Sequence, residues 1–203
     1  MMTRPDPLIP AFPLLAGRVH EAGGPAAVAF AGIVAAQTAG QVLWVQESWQ
    51  ADLLNPLGLR DLTDPARLIL VKSKNQIDSL AVAEEALKDG AIALVVIEIT
   101  RPLNLREGRR LQLAAQSGAS TGLCLIPEGM GSNAAESRWD CRPVFDTQPR
   151  NMTQAGSTLM QWQLTKNKKG TLGAWHVRWD AASHRLDVVS PVGFGPGAAA
   201  VPD

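Results

Sequence analysis

The turn "GGP" at positions 23–25 leads into the apolar stretch "AAVAFAGIVAAQ" and follows a short strand-like run. A glycine turn that opens a helix can grip phosphates, because free backbone N–H groups and the helix N-terminus point at the anion. The full pattern is GxxxxGK[ST]: the lysine neutralises the β/γ charge and the hydroxyl holds Mg²⁺. Counted from Gly24, the second glycine, the lysine and the hydroxyl fall on Ala29, Phe30 and Ala31. No lysine occurs before Lys72. The turn therefore has the outline of a phosphate loop without the groups that bind charge. ATP hydrolysis is not expected, and no cofactor is implied.

Other residues able to do chemistry are few. Glu47 and Glu98 each close an apolar run, "VLWVQE" and "ALVVIE". A carboxylate at such a place can cap a neighbouring helix. Arg106, Arg109 and Arg110 share one helical face, opposite Leu111, Ala114 and Ala115. Lys166, Lys168 and Lys169 crowd one hairpin turn, "KNKKGTLG". These two basic clusters are candidates for DNA or partner contact, since lysine-rich turns meet phosphates without sequence preference. A solvated face explains such clusters as well. Trp49, just past Glu47, is a candidate partner anchor. His20, His176 and His184 have no ligand spacing, and Cys124 and Cys141 form no metal pattern. Both cysteines read as buried, reduced thiols.

The elements that must position these residues alternate. Strands are expected at 17–22, 41–46, 67–72, 91–98 and 121–126, mostly as continuous apolar runs suited to a parallel sheet covered on both faces. Helices fill the gaps. "NQIDSLAVAEEALKDG" starts at an asparagine cap and ends at Gly90, and "NLREGRRLQLAAQSG" starts with a capping box, Asn104 and Glu107. The period then falls to two: Met160, Trp162 and Leu164, then Trp175, Val177 and Trp179, alternate with polar residues. An α/β core is expected at 17–190, a parallel βαβ sheet flanked by helices and followed by antiparallel strands. A Pro-rich segment, 1–16, precedes it, and a disordered tail, 191–203, follows. Leu8, Ile9, Phe12, Leu14 and Leu15 make the first segment too apolar to be idle, so it must cover the chain's own sheet or dock on a neighbour.

The chain has 203 residues, 46% hydrophobic, with 19 basic and 19 acidic side chains. One domain with a sizeable core is expected. With no net charge, there is no global field toward nucleic acid or membrane. The longest apolar runs fall short of the ~20 residues of a membrane span, and a cytoplasmic location is expected.

The order of these segments over about residues 17–190 resembles the RecA ATPase core. Within that superfamily "GQVLWVQ", "RLILVKS", "EEALKDGAIALVVIE", "RRLQLAAQSGASTGLCLI" and "ESRWDCRP" are similar, in this succession, to the ImuA family. The resemblance implies a RecA-like, P-loop-NTPase-type core with a degenerate phosphate loop. It implies that Glu47 stands where a water-activating glutamate belongs and Glu98 where a Mg²⁺-linked acid belongs. It also implies two mobile DNA-binding loops. Only "RPLN" holds the place of the first, and "EGMGSNAAES" that of the second, with no lysine or arginine before Arg138. The implied function is non-catalytic: an SOS-induced accessory of mutagenic translesion DNA synthesis. Its partners would be an ImuB-like Y-family polymerase subunit, an alternative replicative-type polymerase and RecA, with weak or indirect DNA binding and no membrane. Phe12 and Leu15 would anchor such a partner. The alternative is a SulA-like cell-division inhibitor that binds FtsZ.

Overall fold

A computed structural model describes residues 9–51, 54–146 and 158–192. From residue 193 onward the expected disordered tail lies outside the described residues. Strands and helices alternate through β1 (Val19–Gly23), α1 (Ala27–Gln37), β2 (Val42–Glu47), β3 (Leu68–Ser73), α2 (Gln76–Asp89), β4 (Leu94–Glu98), α3 (Leu105–Gly118) and β5 (Thr121–Leu125). Four strands follow: β6 (Ser137–Pro143), β7 (Thr158–Asn167), β8 (Gly173–Asp180) and β9 (Arg185–Pro191). They form one nine-stranded sheet in the order β3-β2-β4-β5-β1-β6-β7-β8-β9. Pairing is parallel from β3 to β6 and antiparallel from β6 to β9. The expected α/β class, with antiparallel late strands, is what the sheet shows. In β9, which is not among the expected strands, Leu186 and Val188 turn toward the core.

The helices form where the caps and spacing require. The Asn75 side chain accepts the Asp78 N–H, and α2 stops at Gly90 in the left-handed region. The Asn104–Glu107 capping box opens α3. These two helices lie side by side on one face of the sheet. Their contact closes at Gly118, where an added Cβ would lie 2.0 Å from the Leu87 carbonyl oxygen. Under them sits one core cluster, including Val45, Leu87, Val95, Ile97, Leu111 and Cys124. Helix α1 is apolar nearly all round and is buried on the opposite face, as such helices must be.

The cluster around α1 is the larger one. It joins Trp44 and Val96 of the parallel strands to Trp139, Trp162 and Trp179 of the late ones. It also takes in Ile9 and Phe12, 3% and 8% exposed. Of the two roles open to the N-terminal segment, covering the chain's own sheet is the one observed for its described part. The boundary at residue 17 therefore does not separate that segment from the core. Phe12 lies with its ring centroid 5.0 Å from that of Trp162 and 6.0 Å from that of Phe30. This corrects the reading of Phe12 as a partner anchor: a side chain shut inside its own core has no surface to offer.

Candidate functional site

The phosphate-loop position lies at the C-terminal end of β1, central in the sheet. Only Gly24, Pro25 and Ala26 separate β1 from α1. The helix starts so early that Ala29, Phe30 and Ala31 all lie inside it. Gly24 has φ +87°, and an added Cβ would sit 2.5 Å from both Asp140 Oδ1 and the Cys141 carbonyl oxygen. The turn is thus pressed against β6. Two N–H groups at this junction are partnered within the protein: Ala26 donates to the Cys141 carbonyl (2.9 Å) and Ala27, the first residue of α1, to that of Gly24 (3.1 Å). Pro25 has no N–H to give. A phosphate cradle needs several converging N–H groups, and this junction keeps two of them for the protein itself. Phe30 is fully buried against Phe12, Trp139 and Trp162. It fills the core under the turn.

Gly24 itself lines a hollow of about 290 Å³ together with Arg138 and Arg142, whose charges are paired with Glu21 and with Asp140 and Glu128. Alongside the start of α1, lined by Val28 and Ala29 and by no residue of the turn, is a larger cleft of about 610 Å³. Val28, Leu59, Leu62, Ile99, Leu125 and Ile126 supply apolar walls, and Glu98, Gln50 and Asn55 the polar groups. Among the described lining residues there is a carboxylate and no cation. Such a lining repels a phosphate chain.

Each of the two acids accepts a tryptophan indole N–H. Glu98 Oε1 accepts the Trp44 indole N–H at 2.7 Å. Glu47 is 4% exposed. One of its oxygens accepts the Trp49 indole N–H at 2.6 Å, and the other accepts the Thr100 hydroxyl. Gln76 extends this network: its Oε1 accepts the N–H groups of Thr100 and Arg101, each at 2.8 Å, and its Nε2 donates to the Arg101 carbonyl at 3.0 Å. Glu47 does not play the helix-capping role expected of a carboxylate at a strand end: its two oxygens hold Trp49 and Thr100. Trp49 is nevertheless 65% exposed, with its indole fixed by Glu47. A large, preset apolar side chain on the surface suits contact with a partner. Leu15 is also on the surface, at 48%.

The basic residues divide. Arg110 pairs with Glu84 at 2.5 Å, whereas Arg106 and Arg109 are exposed, with no ion pair among the described residues. Lys166 Nζ donates to the Ser132 and Asn133 carbonyls, and Lys168 Nζ to that of Ala134. Burial lowers the Lys166 pKa, with the Arg138 charge adding to the effect. Lys169 is exposed at the turn. So two of the three hairpin lysines reach the loop before β6, and the structure brings Arg109 into the same neighbourhood as Lys168.

That loop is where the second mobile DNA-binding segment was expected. It is tied down instead. Ser132 N–H donates to Glu21 Oε1 (2.7 Å) and the Ser132 carbonyl accepts from Arg138. Gln112 Nε2 donates to the Ala134 carbonyl. Glu21, 1% exposed, also binds Arg138 at 2.7 Å. Sequence reasoning misses these residues, because Glu21 and Gln112 are isolated polar residues in unremarkable runs. Their partners lie 111 and 22 residues away.

His20 is a buried linker, consistent with its having no ligand spacing. Its Nε2 donates to the Leu15 carbonyl at 3.0 Å, which leaves Nδ1 to accept the Ser137 hydroxyl at 2.6 Å. Desolvation lowers its pKa to about 4. Burial raises both cysteine thiols above their ordinary range, so neither is a ready nucleophile.

No protein-family model matches the chain. Two curated relatives do, each called Protein ImuA, from Caulobacter vibrioides strains NA1000 / CB15N and ATCC 19089 / CIP 103742 / CB 15. Each is 31% identical over 157 residues, covering 71% of this chain and 63% of the relative. The chain thus spans a little under two thirds of the length of the relatives it matches. Among solved structures, the RadB recombinase is similar with a TM-score of 0.58 at 14% identity, covering 87% of this chain and 92% of that one. At that identity the likeness concerns the fold, which is RecA-like. SulA from Pseudomonas aeruginosa is similar at a TM-score of 0.45 and 21% identity over 54% of this chain, too low to carry an argument.

Proposed function

This chain is a homologue of ImuA through most of its RecA-like core, and from that premise we propose that it is a non-catalytic accessory of SOS-induced mutagenic translesion synthesis. It would work in the cytoplasm with an ImuB-like polymerase subunit and an alternative replicative-type polymerase, and with RecA as a second partner. The observation that carries the non-catalytic reading is the three-residue turn Gly24–Ala26. It is pressed against β6, Pro25 has no N–H, and the Ala26 N–H is bonded to the Cys141 carbonyl. The early start of α1 and the burial of Phe30 support it, and so do two acids engaged by tryptophans.

Two measurements test the proposal. Calorimetry with Mg²⁺–ATP should show no binding tighter than about 1 mM, and no phosphate release should follow. Micromolar binding would return Glu47 and Glu98 to catalytic roles and defeat the non-catalytic reading. In a strain lacking the gene, the wild-type chain should restore damage-induced mutagenesis, and pull-down from damaged cells should recover a polymerase-like subunit. A chain that restores nothing, and instead blocks FtsZ assembly, would overturn the role in mutagenesis.

A further inference from the structure

The structure assigns a partner chemistry to one groove that the sequence did not reveal. It runs between α3 and the loop before β6, encloses about 520 Å³, and is lined by Leu105, Arg109, Gln112, Leu113, Asn133, Ala134 and Lys168. We propose that it docks an acidic, leucine-bearing segment of another protein. This inference stands on the groove alone and holds whatever the wider role of the chain.

The first support is apolar. Leu105 and Leu113 are 49% and 66% exposed. With Arg109 they are spaced four residues apart, so all three share one stripe of α3. An exposed leucine by itself is ordinary. Two on one stripe, facing a concave wall, offer a seat for apolar side chains at helical spacing.

Charge is the second. Arg109 and Lys168 are the lining charges, and both are exposed. The carboxylates nearby are engaged elsewhere: Glu107 with Arg101 (2.7 Å), Glu21 with Arg138 (2.7 Å) and Glu136 with Arg18 (3.7 Å). The groove is therefore positive without internal compensation, and an acidic segment complements it.

The third is rigidity. The wall opposite α3 is pinned by Gln112, Lys166, Lys168 and Arg138 at three consecutive carbonyls, Ser132, Asn133 and Ala134. A preset wall loses little freedom when a ligand arrives.

Nucleic acid fits less well. Single strands are held by stacking on aromatic side chains, and no aromatic residue lines this groove among the described residues.

The test uses the full chain and a fluorescein-labelled helical peptide of leucine and glutamate, read by anisotropy. Binding is expected in the range of about 10–100 µM. The paired variants Arg109→Ala/Lys168→Ala and Leu105→Ser/Leu113→Ser should each weaken it about ten-fold, the first pair losing the salt sensitivity as well. All four side chains are exposed; circular dichroism should show both pairs folded, and a single Arg109→Ala variant, which leaves the Lys168 tie to the Ala134 carbonyl intact, should also weaken binding and lose part of the salt sensitivity. The same peptide with lysine for glutamate should not bind, and a single-stranded oligonucleotide should not displace the acidic one. Absence of binding below about 1 mM, binding indifferent to both pairs, or displacement by the oligonucleotide would each overturn the proposal.

Discussion

Single side chains decide more here than their positions in the sequence suggest. Phe12 reads as a surface anchor in a Pro-rich leader, yet it sits among Phe30, Trp139 and Trp162. Phe12→Ala should cost about 3–5 kcal/mol, as large-to-small changes in packed aromatic sites do. Trp49→Ala, at an exposed site, should stay within about 1 kcal/mol. Urea denaturation of the two variants checks both, and equal losses would contradict the burial. His20 adds a pH dependence. Its pKa falls from 6.5 unfolded to about 4 folded, so between those values the unfolded chain holds more protons. Its contribution is fully present above pH 6.5 and is lost as pH falls toward 4, by up to about 3 kcal/mol. A His20→Gln variant should show a flatter stability profile over that window. Profiles that remain parallel would exclude His20 as the titrating group.

At the scale of elements, α2 and α3 are legible in the amino-acid sequence alone, because Asn75, Gly90 and the Asn104–Glu107 pair are local signals that tertiary context left alone. The site is less legible. The glycine turn is visible there, and so is the absence of lysine and hydroxyl. The sealing of the turn is not, since Gly24 meets Asp140 and Cys141 from a strand more than a hundred residues on. A similar separation hides the tie from Glu21 to Ser132 in the loop before β6, and the shorter ties from Gln112 and Arg138 carry no local pattern either. Close packing of α2 on α3 makes a sharper prediction. At Gly118 an added Cβ would meet the Leu87 carbonyl at 2.0 Å, and backbone cannot yield as a side chain does. Gly118→Ala should therefore lower stability by about 1–3 kcal/mol through overpacking, measured by the shift of the denaturation midpoint. An unchanged midpoint would mean that the helices can separate without loss.

The whole molecule is one sheet with a shared aromatic cluster. Trp44 and Val96 from the parallel half share that cluster with Trp162 and Trp179 from the antiparallel half. The Trp179 indole also donates to the Asp61 carbonyl at 2.8 Å. A single cooperative unfolding transition is expected, with tryptophan fluorescence and far-ultraviolet circular dichroism giving the same midpoint. Two separated midpoints would divide the sheet into independent units. The same cluster bears on ancestry. Returning glycine, lysine and threonine to positions 29, 30 and 31 would not rebuild a phosphate loop, because α1 already begins at Ala27 and the new lysine would replace a ring 4.7 Å from Trp162. Its ammonium would be stranded in an aromatic interior at a cost of several kcal/mol. Regaining the site would need a longer turn, a vacated interior and three new side chains at once, with no folded intermediate favoured along the way. Phe30 thus acts as a ratchet: while aromatic rings fill this side of the helix, no single substitution can set a phosphate-binding lysine at position 30.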